Sequence, residues 1–274
     1  MNTLGEDFAG GWFRRIYAPV NPAGLGVAIA IAIGLILLHQ VLQVLLSTVV
    51  LAALFDGSFE DTRNIVKASL IVIFPASLVI AFVAWKLAGL QGGDARKVLN
   101  LRTPRITPAG WAALIIGFLA AMYVAIIVIV MALGIDLDQY TPGPNGTSPE
   151  SGSAGLVKEA MFDIANEPWL FLLVFPSVAL GAPIAEELIF RGQLFSALSL
   201  TRLGASGTTI VTSAAWALLH LSEPWFSIGL IFIMGLVFGW MMYRFGSLWV
   251  VIACHGAWNG IYALILFTSL GAQA

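Results

Sequence analysis

The chain has 274 residues, 59% of them hydrophobic and 10% charged, with a net charge of -2 and a mean hydropathy of +0.93. Soluble domains carry about 45–50% apolar and about 25% charged residues, so no single aqueous core can hide this much apolar surface and lipid must be the solvent. The small net charge and the lack of a basic stripe exclude nucleic acid as a partner. The single cysteine, Cys254, excludes an internal disulfide, and its apolar surroundings read as plain packing.

In chain order, residues 1–21 mix acids, the Trp12-Phe13 pair and Arg14-Arg15. That order reads as a cytoplasmic or interfacial tail, not a cleaved signal. Seven stretches then approach the ~20 apolar residues a span needs: 22–54, 65–88, 108–134, 168–200, 205–221, 225–243 and 248–268. The expected fold is all-α, a polytopic membrane helix bundle of about seven transmembrane helices; an eighth requires splitting 22–54 or 168–200. Three helices fill 22–134, an acidic extramembrane loop fills 135–167, four helices form a core over 168–268, and 269–274 is a short tail. The expected location is the bacterial cytoplasmic membrane.

The connections carry the orientation. Residues 89–107 hold Arg96, Lys97, Arg102 and Arg105. Counting Lys and Arg puts this loop, the N-terminus, 200–206 and 243–247 in the cytoplasm, with the C-terminus outside. The 135–167 loop is acidic and turn-rich, and its 156–165 portion reads as a short amphipathic surface helix. Asn145-Gly146-Thr147 matches a glycosylation acceptor, but a three-residue match is weak and an ordinary loop is the better reading.

Ionisable groups inside a span cost about 2.5–3.5 kcal/mol each on insertion scales. The first three helices avoid them except near their ends, whereas the fourth contains Glu186, Glu187 and Arg191. Glu187 and Arg191 are four apart on one helical face, acid first, so they can neutralise each other, and a bidentate guanidinium contact would hold them rigid. Glu186 points ~100° away and is left without that partner, as suits a general base or acid. Pro183 removes a backbone donor three residues earlier, so a kink there would open polar backbone beside the acids.

Three histidines remain. His39, near Gln40 and Gln43 in the first span, reads as a satisfied interior polar cluster. His220 ends the fifth span four residues after Trp216, and His255 lies four residues before Asn259 in the seventh. Glu186 and His220 are each 17 residues from a turn at position 203, so a hairpin brings both to ~25 Å from it. His255 and Asn259 fall at ~14 and ~20 Å from the turn near Gly246. The four groups can share one pocket, with Gly235 and Gly239 permitting close helix approach.

Glu186-Glu187-x-x-x-Arg191, an aromatic four before His220, and His255-x-x-x-Asn259 together resemble the CPBP family, which includes the CAAX prenyl endopeptidase Rce1 and bacteriocin self-immunity proteins. The resemblance covers roughly 168–268. It departs at Trp216, where the family motif usually has Phe, an exchange that leaves the chemistry untouched but can reshape the pocket. The resemblance implies an intramembrane glutamic endopeptidase acting on a peptide or membrane-protein substrate. By that analogy Glu186 and His220 activate a water, His255 and Asn259 stabilise the oxyanion, Glu187 and Arg191 brace the site, and no cofactor is needed. Amide hydrolysis needs such a base, a positioned water and such donors. Three alternatives compete: a zinc metalloprotease using the His and Glu side chains, a transporter or proton relay, and a silent scaffold or immunity factor.

Overall fold

The computed structural model describes residues 16–57, 59–136 and 153–271. The N-terminal Trp12 to Arg15 segment and the Asn145-Gly146-Thr147 pattern lie outside them. Nine helices are found among the described residues: α1 (Gly24–Leu54), α2 (Thr62–Leu90), α3 (Ala95–Val98), α4 (Pro108–Leu133), α5 (Ser153–Asn166), α6 (Pro168–Ser199), α7 (Gly204–Leu218), α8 (Trp225–Phe245) and α9 (Leu248–Gly271). All seven expected helices are present. Six of them (α1, α2, α4, α6, α8 and α9) are long and apolar enough to cross a membrane. The seventh, α7, has 15 residues and rises only ~22 Å. It stops short of the expected 221, because the chain leaves the helix just before His220.

Their ends follow local chemistry. Asp61 caps α2 by accepting from the N–H groups of Arg63 and Asn64 at 2.9 and 3.3 Å. Thr107 caps α4 with Pro108 in the first helical position, and Gly134 closes that helix in the left-handed region at φ 62°. α1 and α4 each bury a narrow stripe, Ala28, Ala32 and Leu35 in α1 and Phe118, Leu119 and Met122 in α4. Leu37, Val44, Leu45 and Val49 of α1, and Ile116, Val124, Ile127, Val128 and Met131 of α4, are all exposed. A helix apolar on every side and exposed on most of them is solvated by lipid.

The amphipathic segment before α6 is helical, as expected. α5 buries Met161, Ile164 and Ala165. It turns Glu159 and Asp163 toward Arg63 of α2, at 3.2 and 3.5 Å, and Asp163 also pairs with Lys67 at 3.4 Å. The Arg63 pairs are partly exposed, so each contributes at most about 1 kcal/mol; their effect is to fix the orientation of α5 on α2.

A close helix contact joins α2 to α6 and is built on a proline. Pro75 lies inside α2 and cannot donate to the carbonyl of Ile71, four residues earlier. Ser177 of α6 replaces that donor, with its Oγ 2.7 Å from the Ile71 oxygen, and it also accepts from the Phe74 N–H at 3.1 Å. Backbone groups in lipid must be satisfied within the protein, and here one hydroxyl satisfies two. The helices can come this near because residue 181 is glycine: a Cβ there would stand 2.8 Å from the Phe74 Cα. Gly181→Ala is therefore expected to push α6 off α2 and destabilise the protein by about 1–3 kcal/mol, the usual cost of overpacking. Thermal unfolding in detergent measures this, and an unchanged midpoint would refute the contact. Gly235 and Gly239 of α8 likewise stand against Ser213 and Thr209 of α7, as the sequence led us to expect.

The basic 89–107 segment docks on the bundle at one end. Asn100, buried and at φ 54°, donates to Ser196 Oγ at 2.7 Å, and its carbonyl accepts from the Leu248 N–H at 2.8 Å. Arg96 and Lys97 remain exposed.

Candidate active site

α6 is one helix of changing pitch. Wider π-helical turns at Ser177–Gly181 and Leu188–Leu194 flank the α-helical stretch Ala182–Glu187. Such turns accumulate at functional sites because they disturb the hydrogen-bond ladder. Pro183 explains the first of them. Without its N–H the carbonyl of Ala179 has no helical donor, and the Ala182 N–H bonds five residues back to Ser177 instead. The opened carbonyls face α9. Asn259 Nδ2 donates to the Val178 oxygen at 3.2 Å, and Gly256 lies so close to Ala179 that a Cβ would meet its oxygen at 2.5 Å. The polar backbone expected beside the acids is present, and α9 covers it.

Glu187 and Arg191 are wholly buried. Glu187 Oε1 accepts from Arg191 Nη1 at 3.1 Å and from His255 Nδ1 at 2.9 Å. A bidentate pair was expected, but a single oxygen serves both donors, and Glu187 Oε2 and Arg191 Nε have no hydrogen-bond partner among the described residues. The reason is tertiary: His255 enters from α9 and turns the carboxylate away from the fork of the guanidinium. The guanidinium carbon lies 4.6 Å from the centre of the Trp216 ring and 5.4 Å from that of Phe238, where cation–π attraction replaces part of its hydration.

Glu186, half-buried, faces elsewhere. With Glu186 and His220 from the core, Ile36, His39, Gln40 and Gln43 of α1 and Ile73 of α2 line a cavity of about 210 Å³. The hairpin arithmetic thus brings Glu186 and His220 to one space. His255 and Asn259 are not in its lining. Trp216 joins the two groups. Its indole N–H donates to Glu186 Oε2 at 2.6 Å, and its ring packs edge-on against His220 at 5.5 Å and His255 at 5.3 Å.

Hydrogen bonds fix the tautomers. His220 Nδ1 is 3.0 Å from the Trp216 carbonyl, which only accepts, so Nδ1 carries the proton and Nε2 of the neutral ring is left as a base. His255 Nδ1 likewise carries the proton toward Glu187. His255 can therefore donate to an oxyanion only from Nε2 of the imidazolium, with Glu187 placed to balance that charge. Asn259 has a second amide N–H beyond the one held by Val178.

The bond from Trp216 changes what the sequence implied. Phenylalanine has no donor there, so tryptophan alters the chemistry as well as the shape. Its signal in the sequence was only that an aromatic residue precedes His220 by four. Trp216→Phe is expected to lower kcat about tenfold with little change in KM, since a hydrogen bond to a charged group contributes about 1.5–3 kcal/mol. Steady-state kinetics beside a melting curve check this: an unchanged kcat in folded protein would make the bond incidental, and a lowered melting point alone would make Trp216 a packing residue.

Among the described residues no three His, Cys, Asp or Glu side chains are gathered closely enough to hold a metal ion, whereas a catalytic zinc uses three protein ligands.

Residues 168–261 match the family model described as type II CAAX prenyl endopeptidase Rce1-like. No curated protein and no solved structure matches the chain. The matched segment runs from the start of α6 into α9 and holds Glu186, Glu187, Arg191, Trp216, His220, His255 and Asn259 together. Through this segment, about a third of the chain, the protein is similar to the Rce1-like family of type II CAAX prenyl endopeptidases.

Proposed function

We propose that the protein is an intramembrane endopeptidase of the glutamic type. Glu186 and His220 polarise a water that adds to the scissile carbonyl carbon. Its proton passes to this pair and then to the leaving nitrogen as the C–N bond breaks. On the family analogy the second N–H of Asn259 and Nε2–H of the His255 imidazolium stabilise the oxyanion; because neither lines the cavity, the scissile carbonyl oxygen has to project past Trp216 toward them. Glu187 and Arg191 hold His255 in place. The observation that carries this reading is the shared cavity, which pairs a carboxylate with a histidine whose Nε2 is left basic. The substrate is a peptide segment of a membrane protein, and no metal is required.

Mass spectrometry of new protein N-termini in host membranes tests this by comparing the wild type with Glu186→Gln at matched expression. Fragments lost in the variant identify substrates. Identical profiles would reject proteolysis and turn attention to solute flux. Cleavage by purified protein is expected to survive a zinc chelator, and its loss, restored by zinc, would replace the glutamic mechanism by a metal one.

A further inference from the structure

The N-terminal helices lie outside the family match, yet α1 forms one wall of the cavity. His39, Gln40 and Gln43 stand near the middle of this 31-residue helix, whose neighbours are almost all aliphatic. Polar groups at that depth are costly, and a structural role would require them to be well bonded. They are not. Gln43 Nε2 is 3.3 Å from both His39 ring nitrogens, a position along the lone pair of neither. The other hydrogen-bond contact of the ring among the described residues is Ser77 Oγ at 3.3 Å. Gln40 is exposed at the rim. His39 lies within electrostatic reach of Glu186. The expected satisfied cluster is thus loosely bonded and faces the acid and His220 across the cavity.

A peptide drawn into this cavity brings unpaired N–H and C=O groups into an apolar region, where each is expensive unless bonded. Glutamine offers both donors and an acceptor, and histidine offers one of each. We infer that His39 and Gln43, with Gln40 at the entrance, are the substrate-binding wall that hydrogen-bonds the backbone of the peptide segment presented to Glu186. The inference rests on the proteolytic reading above for the fate of that peptide, but binding can be measured without it.

The test uses the full-length protein in host membranes. A photo-crosslinking amino acid replaces Gln40 in the Glu186→Gln background, and the same residue at Val44, which is 65% exposed on the same helix, is the control. Crosslinks from position 40 to protein segments flanking the sites cleaved by wild-type protein are expected, with lipid alone captured from position 44. In parallel, His39→Leu and Gln43→Leu are each expected to raise KM about tenfold, the worth of one hydrogen bond, while kcat and the melting temperature hold. Peptide crosslinks without any Glu186-dependent cleavage would keep the wall and discard the protease. Cleavage with lipid-only crosslinks at position 40 and unchanged KM would keep the protease and discard the wall. Lipid-only crosslinks without cleavage would discard both.

Discussion

Glu186→Gln is expected to lower cleavage by about a hundredfold to ten-thousandfold, because it removes the proposed proton acceptor while keeping shape and burial, and general-base catalysis supplies roughly 10²–10⁴ in rate. Stability should hardly change. Glu186 lines a cavity and has one neutral donor, Trp216, at 2.6 Å, and a neutral amide oxygen can accept from the same indole N–H. The two readings differ in one measurement pair. Catalysis lost with the melting temperature retained places Glu186 in the chemistry. Retained cleavage would remove the glutamate from the mechanism, and a large fall in melting temperature would make it a structural group.

Glu187→Ala should do the opposite, although the two acids are adjacent in sequence. It strands Arg191, wholly buried, without its counter-charge and takes away the acceptor of His255 Nδ1. Breaking a buried pair by removing one partner costs about 3–5 kcal/mol, a large part of the 5–15 kcal/mol that holds a typical domain. The expected result is low yield in the membrane and a sharply lower melting temperature. A second variant separates instability from catalysis. Replacing both partners, Glu187→Leu with Arg191→Leu, removes the stranded charge, and apolar replacement of a buried pair is often neutral or stabilising. The double variant should recover much of the stability yet stay inactive, because His255 has lost the carboxylate that orients it. A double variant no more stable than Glu187→Ala would show that the pair does more than neutralise itself, and one that cleaves normally would detach Glu187 from the site.

This division between two neighbouring acids was legible from the sequence because helical geometry is local. Residues 187 and 191 share a face and 186 does not, whatever the rest of the chain does. The level of Glu186 and His220 could also be read, since a hairpin about a known turn fixes depth by residue count. Two other expectations failed to capture the detail. The bidentate contact gave way to a shared oxygen, because the competing donor, His255, comes from 68 residues away. The substitution of an aromatic by an aromatic concealed a hydrogen bond, because residue type alone does not say where an indole N–H points.

The sequence by itself determined what depends on composition and short periods: a chain dissolved in lipid, seven helices with nearly their observed ends, and a fourth span that carries Glu186, Glu187 and Arg191 inside its apolar run. Apolar run length and a fixed rise per residue suffice for that. Only the tertiary structure decided which polar groups meet. Ser177 repairs the carbonyl freed by Pro75, α9 covers the turn opened by Pro183, and His39 and Gln43 face Glu186 across a cavity. In each case a backbone or side-chain group left unpaired by its own helix is matched by one from a distant helix. Such pairings are set by the rotation and approach of whole helices, which no local pattern encodes.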